Sequence, residues 1–123
     1  MTSEVIRLRL PARPQYGRLA RIAAAQIAVR RGFTLREIDD LRLAIDEAVI
    51  LVLGPAPEPG NLEVEYTLTK ADLAVTLSIS DETAKIPTER IERFTELASD
   101  LVSSFAIDPD HGVRIVKMSS RPS

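Results

Sequence analysis

Asp46 and Glu47 stand side by side in the run DDLRLAIDEAVILVLG (residues 39–54), and Val49, Ile50, Leu51, Val52 and Leu53 follow them almost at once. Paired carboxylates are a common acid/base device, but neighbours on a helix point about 100° apart. They cannot both face one proton, so a dyad is excluded. Two readings stay open: surface carboxylates paired with Arg42 or other basic groups, or a single carboxylate, Glu47, turned towards a pocket. Ser78 and Ser80 carry hydroxyls, but no histidine lies near them in sequence and strand alternation accounts for both. His111, the only histidine, sits in the turn DPDHG and reads as a turn residue. The absence of cysteine excludes disulfides and thiolate metal ligands.

The elements that hold these residues can be read from hydrophobic periodicity. VIRLRLPA alternates, with Ile6, Leu8 and Leu10 on one face and Arg7 and Arg9 on the other, which predicts a half-buried strand. Pro11 and Pro14 close it, and Pro14 suits the first turn of a helix. Leu19, Ile22, Ala23 and Ile27 form a helical stripe between Tyr16 and Arg31, ended by Gly32. Ala20, Ala23, Ala24, Ala25 and Ala28 leave room for another helix to approach.

Thr34-Leu35-Arg36-Glu37 has the form of a capping box and opens a second helix. That helix turns Leu35, Ile38, Leu41, Ile45, Ala48, Val49 and Val52 inward and stops at Gly54. The proline-rich PAPEPG (55–60) predicts a rigid turn. LEVEYTLT and LAVTLSIS, joined by Lys70-Ala71-Asp72, predict a hairpin whose inner face is Leu73, Val75, Leu77 and Ile79. Ile91, Phe94, Leu97, Ala98, Leu101 and Val102 mark a third helix, and FAI and VRIVKMS a closing hairpin. The order β-α-α-β-β-α-β-β predicts an α/β (α+β) two-layer sandwich, a mixed, mostly antiparallel sheet with three helices on one face.

A chain of 123 residues suits one domain over 1–123. Its 45% hydrophobic and 28% charged residues match a soluble globular protein. No apolar run reaches the roughly 20 residues of a membrane span, and MTSEVIRLRL does not read as a signal peptide. The expected location is cytoplasmic. Residues 1–33 carry seven arginines against Glu4 alone. Such a basic third suggests either a charge-selected partner surface or self-complementation within the fold. Direct nucleic-acid binding is disfavoured, because only Tyr16 and Phe33 interleave with those arginines.

TLREIDDLRLAIDEA resembles the helix "DELxDLxLAVSEAxTNA" of the GHKL (Bergerat) ATPase fold, and more narrowly of the anti-sigma-factor serine kinases of bacterial partner-switching systems. LAVTLSISDE resembles the strand that ends in that family's "DxG" motif. FTELASDLVSSFAIDPDHGVRIVKMS resembles its C-terminal helix, turn and last strand. The resemblance implies that Glu47 is the glutamate of the "ExxxN" box, acting on the water that attacks ATP. The magnesium-binding asparagine falls on Leu51, which has no lone pair for a hard cation. Asp81 falls on the aspartate that meets adenine, and the glycine two residues later is Thr83. Residues 61–111 contain no glycine, so the permissive backbone of a phosphate cradle is missing. The loop after Asp81 is also short for the family's lid.

The chain thus reads as a degenerate member with no cofactor, neither ATP nor magnesium. Glu47 and Asp81 are remnants, and Leu51 is expected to pack into the former magnesium position. The resemblance implies a non-catalytic anti-sigma-factor-like protein that sequesters a sigma factor or exchanges with a STAS anti-anti-sigma protein, as a homodimer. Arg18, Arg21, Arg7 and Arg9 are the partner-binding candidates. The alternative is an ATP-binding serine kinase that retains weak nucleotide binding through Glu47 and Asp81.

Overall fold

The computed structural model describes residues 4–54, 59–80 and 85–120. Strand β1 (Glu4–Pro11) leads through a short 3-10 turn (Pro14–Tyr16) into α1 (Gly17–Arg30) and then α2 (Leu35–Leu53). The hairpin β2 (Asn61–Leu68) and β3 (Asp72–Ile79) follows, then α3 (Thr88–Ala98) and a second hairpin, β4 (Ser104–Asp108) and β5 (Gly112–Met118). The expected element order is found. The five strands lie in the order β1-β2-β3-β5-β4. Every neighbouring pair is antiparallel, so the sheet is not mixed as the sequence suggested. β2–β3 and β4–β5 are hairpins, whereas α1 and α2 connect β1 to its antiparallel neighbour β2 and α3 connects β3 to the edge strand β4.

Register divides the sheet into two unlike faces. Ile6, Tyr66, Val75, Ile115 and Phe105 share one cross-strand row, and Leu8, Val64, Leu77, Val113 and Ile107 the next. The three helices cover this face. Arg7, Glu65, Thr76, Arg114 and Ala106 form a row on the other, helix-free face. Arg7 and Glu65 meet there at 2.9 Å, and Arg9 and Glu63 at 2.8 Å.

Three contacts seat the helices. The buried Tyr66 hydroxyl donates to the Ala20 carbonyl of α1 at 2.8 Å, and burial pushes the phenol's pKa up. Phe94 of α3 meets Phe105 of β4 edge to face, with ring centres 5.3 Å apart. Ala20, Ala24 and Ala28 are fully buried, and a methyl on Gly17 would come within 2.6 Å of Val49. The small-residue stripe of α1 is therefore spent on close packing within this fold rather than on an outside helix.

The apolar pattern of α2 holds with one exception. Ile38, Leu41, Ala44, Ile45, Ala48, Val49, Leu51, Val52 and Leu53 are buried, whereas Leu35 is 81% exposed. Leu35 is the first helical residue and shares its side of the helix with the buried Leu53, so its place at the helix end, not its direction, leaves it exposed. On α3 the expectation runs one turn too far. The helix ends at Ala98, Leu97 is exposed, and Leu101 and Val102 pack onto the core from the turn beyond. Ile79 is half-buried at the end of β3. Of the PAPEPG turn, residues 55–58 lie outside the described residues.

Candidate functional site

The two ends of α2 carry the groups that could do chemistry or set its position. At the start, the Thr34 hydroxyl accepts from the Glu37 amide at 3.1 Å, and the Thr34 amide donates back to Glu37 at 2.7 Å. This is the reciprocal cap that the sequence predicts. The second Glu37 carboxylate oxygen also accepts the Ser120 amide at 2.8 Å, so one side chain ties the C-terminal segment to the helix start. Partial burial would raise the Glu37 pKa, but the Thr34 and Ser120 backbone N–H groups outweigh it and hold it at about 2. One turn on, Lys117 of β5 reaches Asp40 at 3.5 Å and donates to the Leu101 carbonyl at 2.7 Å.

Asp46 and Glu47 face different neighbours, as adjacent helical residues must. Asp46 pairs with Arg21 of α1 at 3.1 Å. Glu47 takes two hydrogen bonds from Arg93 of α3, Nε to Oε1 at 3.2 Å and Nη2 to Oε2 at 3.4 Å. Other basic groups thus take both carboxylates, while Arg42 turns to Asp39 at 3.7 Å, three residues back on its own helix. The side chain of Glu47 is only 20% exposed, so the guanidinium supplies much of the solvation that water has lost.

Leu51, one turn beyond Glu47, is 1% exposed and belongs to the continuous apolar core. Gly54 ends the helix at φ 73° and ψ −165°, a conformation essentially reserved for glycine. The Arg90 guanidinium of α3 lies directly over it, and its Nη1 donates to the Ile50 carbonyl at 3.4 Å. A cation at this end offsets the partial negative charge of the helix C-terminus.

Beside this end of α2 is a cavity of about 70 Å³ lined by Val52, Ile79, Lys85, Ile86, Arg90, Asp110 and His111. Its volume is below the roughly 300–1,000 Å³ of typical small-molecule sites. Magnesium demands oxygen ligands, and Leu51 offers only hydrocarbon. Asp81, the other remnant position, lies outside the described residues.

The partner-binding candidates separate. Arg7 and Arg9 are engaged by Glu65 and Glu63, Arg21 by Asp46, and Arg31 by Glu4 at 3.8 Å. Arg18 is exposed on α1 and meets no carboxylate among the described residues. Much of the basic first third is thus complemented within the fold. Arg7, Arg9, Glu63, Glu65, Thr76 and Ser78 also line a shallow groove of about 460 Å³ on the helix-free face.

Arg90 and Arg93 were not among the residues that sequence reasoning selected. Their spacing in TERIERF puts two cations on one side of α3. That spacing was the available signal, but only the tertiary fold shows that the side is turned to α2.

No family model matches the chain. It is 34% identical over 90 residues to the serine-protein kinase RsbW of Listeria monocytogenes, covering 71% of this chain and 57% of that protein. The RsbW of Bacillus subtilis is 37% identical over 81 residues, covering 65% of this chain and 51% of that one. The RsbW of Oceanobacillus iheyensis is 25% identical over a longer span, 92% of this chain and 84% of the relative. The chain thus spans a little over half the length of the Listeria relative in the first match. Together with the five-stranded sheet under three helices and the helix that carries Glu47, these relatives place the chain in the GHKL anti-sigma-factor family.

Proposed function

We propose that the protein is a regulatory binding member of this family, which acts on a sigma factor or a STAS-type anti-anti-sigma protein by association and exchange and not by phosphorylation. The observation that carries this reading is the state of the "ExxxN" helix: Glu47 is held by Arg93, and Leu51 is buried in the core. A general base must be free to take a proton from water in reach. A carboxylate that accepts two hydrogen bonds from a guanidinium is a poor one. Partner binding falls to exposed groups of the first helix, with Arg18 the member of the original set that is left without an internal carboxylate among the described residues. Arg21, Arg7 and Arg9 act there only by exchanging their internal partners. A homodimer is part of this reading.

The second reading, an ATP-dependent serine kinase, draws on the relatives, each named a serine-protein kinase. Calorimetry with Mg-ATP separates the two. A flat titration, with capture of a purified sigma factor or STAS protein from the same host, supports the binding protein. Micromolar Mg-ATP affinity and transfer of phosphate to a STAS serine would establish the kinase.

A further inference from the structure

We propose that the small cavity beside the C-terminal end of α2 is a binding site for a tetrahedral oxyanion of phosphate size, held by Lys85, Arg90 and His111. The proposal rests on the reading that this part of the molecule no longer takes a nucleotide.

The walls of the cavity come from separate parts of the chain and are fixed to one another. The turn after β4 is stapled twice: the Ile86 amide donates to the Pro109 carbonyl at 2.9 Å, and the Ile79 amide to the His111 carbonyl at 3.3 Å. The Asp110 amide donates to Asp108 Oδ1 at 3.0 Å, which closes the turn from within. Val52, Ile79 and Ile86 supply an apolar floor, and the volume of about 70 Å³ admits one small ion and excludes a nucleoside.

The polar groups on the rim are mainly donors. Lys85 and Arg90 meet no carboxylate among the described residues, and Arg90 spends one nitrogen on Ile50. A guanidinium has five N–H donors in a planar fork, and lysine and histidine add further N–H groups. Asp110 is the one acidic side chain on the cavity, and it opposes an anion. Among the described residues, Lys85 and Arg90 against Asp110 leave one net positive charge before His111 is counted. The site uses side-chain cations where a glycine-rich loop would use backbone amides, and it requires no metal.

His111 is the only histidine, so its ring signals in a proton NMR spectrum report on this cavity alone. Titrating the full chain with inorganic phosphate is expected to move these signals saturably, whereas sodium chloride at matched ionic strength leaves them in place. Lys85→Ala should weaken the response about tenfold, the loss of one charge-assisted hydrogen bond, and Asp110→Asn should strengthen it. Both positions are exposed, so the fold tolerates the changes. No saturable shift, or an equal shift with chloride, overturns the site. Phosphate binding that is indifferent to Lys85→Ala and Asp110→Asn also overturns it. Mg-ATP binding more tightly than phosphate overturns instead the non-nucleotide reading on which the site rests.

Discussion

The two ends of α2 are built on different principles. The start is organised by residues three apart: Thr34 and Glu37 exchange hydrogen bonds across one turn. The end is organised by residues about forty apart: Arg93 holds Glu47, and Arg90 lies over Gly54. A local device works in any fold that lets the helix form. The distant one exists only because α3 is laid across α2 by the Phe94–Phe105 contact and by the strands that follow. The lesson concerns function as well as stability. In the "ExxxN" helix the acid itself is retained, yet its neighbours decide what it can do.

Substitution at the distal end should break the comparison most strongly. Leu51→Asn puts an amide into a site with 1% exposure. It should cost about 4 kcal/mol, from lost burial and an unsatisfied polar group. Urea denaturation measures this, and calorimetry on the variant should still show no Mg-ATP binding, because the phosphate-cradling glycines are also absent. A variant that loses less than about 1 kcal/mol would mean that Leu51 is not part of the core. Gly54→Ala comes next, at about 2 kcal/mol, since the added methyl must take φ 73° and displaces the Arg90 guanidinium. Thermal unfolding should register it as a clear drop in Tm.

The proximal end sharpens the contrast with smaller effects. Thr34→Ala should cost about 1 kcal/mol, as loss of a helix cap does. Glu37→Gln should act through pH. The folded carboxyl titrates near 2, below its ordinary 4.5, so its contribution is fully present above about 4.5 and is lost as pH falls towards 2. The group is only partly buried, which limits the effect to about 1 kcal/mol. Stability curves of wild type and Glu37→Gln should therefore differ at pH 6 and converge near pH 2. A constant gap would show that the charge is not what the cap uses.

Arg93→Ala should change stability least, by about 0.5 kcal/mol, because its side chain is 58% exposed. Its informative readout is hydrogen exchange along the second half of α2, which should quicken if α3 is held there by the ion pair. Unchanged exchange would leave the attachment to apolar packing around Phe94 and to Arg90.

Legibility followed the range of the interactions. The capping box, the stop at Gly54 and the period-two faces of β2 and β3 depend on neighbours in sequence, and these were read correctly. Leu35 was misplaced because a periodic template includes a helix's first residue, whereas the fold determines how far along the helix the cover extends. The sequence offered Arg42 or other basic groups as partners of Asp46 and Glu47, and the other basic groups are the ones found. In the folded chain Arg21 and Arg93 reach those carboxylates from other helices, 25 and 46 residues away. The alanines of α1 were readable as a close-packing stripe, but not as one consumed by the fold.

The sequence alone determined the element order, the start and stop of α2, the leucine at position 51 and the scarcity of glycine. These are properties of side-chain chemistry and of one or two turns of backbone. Only the tertiary structure decided that all five strands pair antiparallel, that Arg93 holds Glu47, and that Lys85, Arg90 and His111 converge on one small cavity. Those outcomes join residues far apart in the chain, and their positions are set by packing of the whole core, which no local pattern encodes.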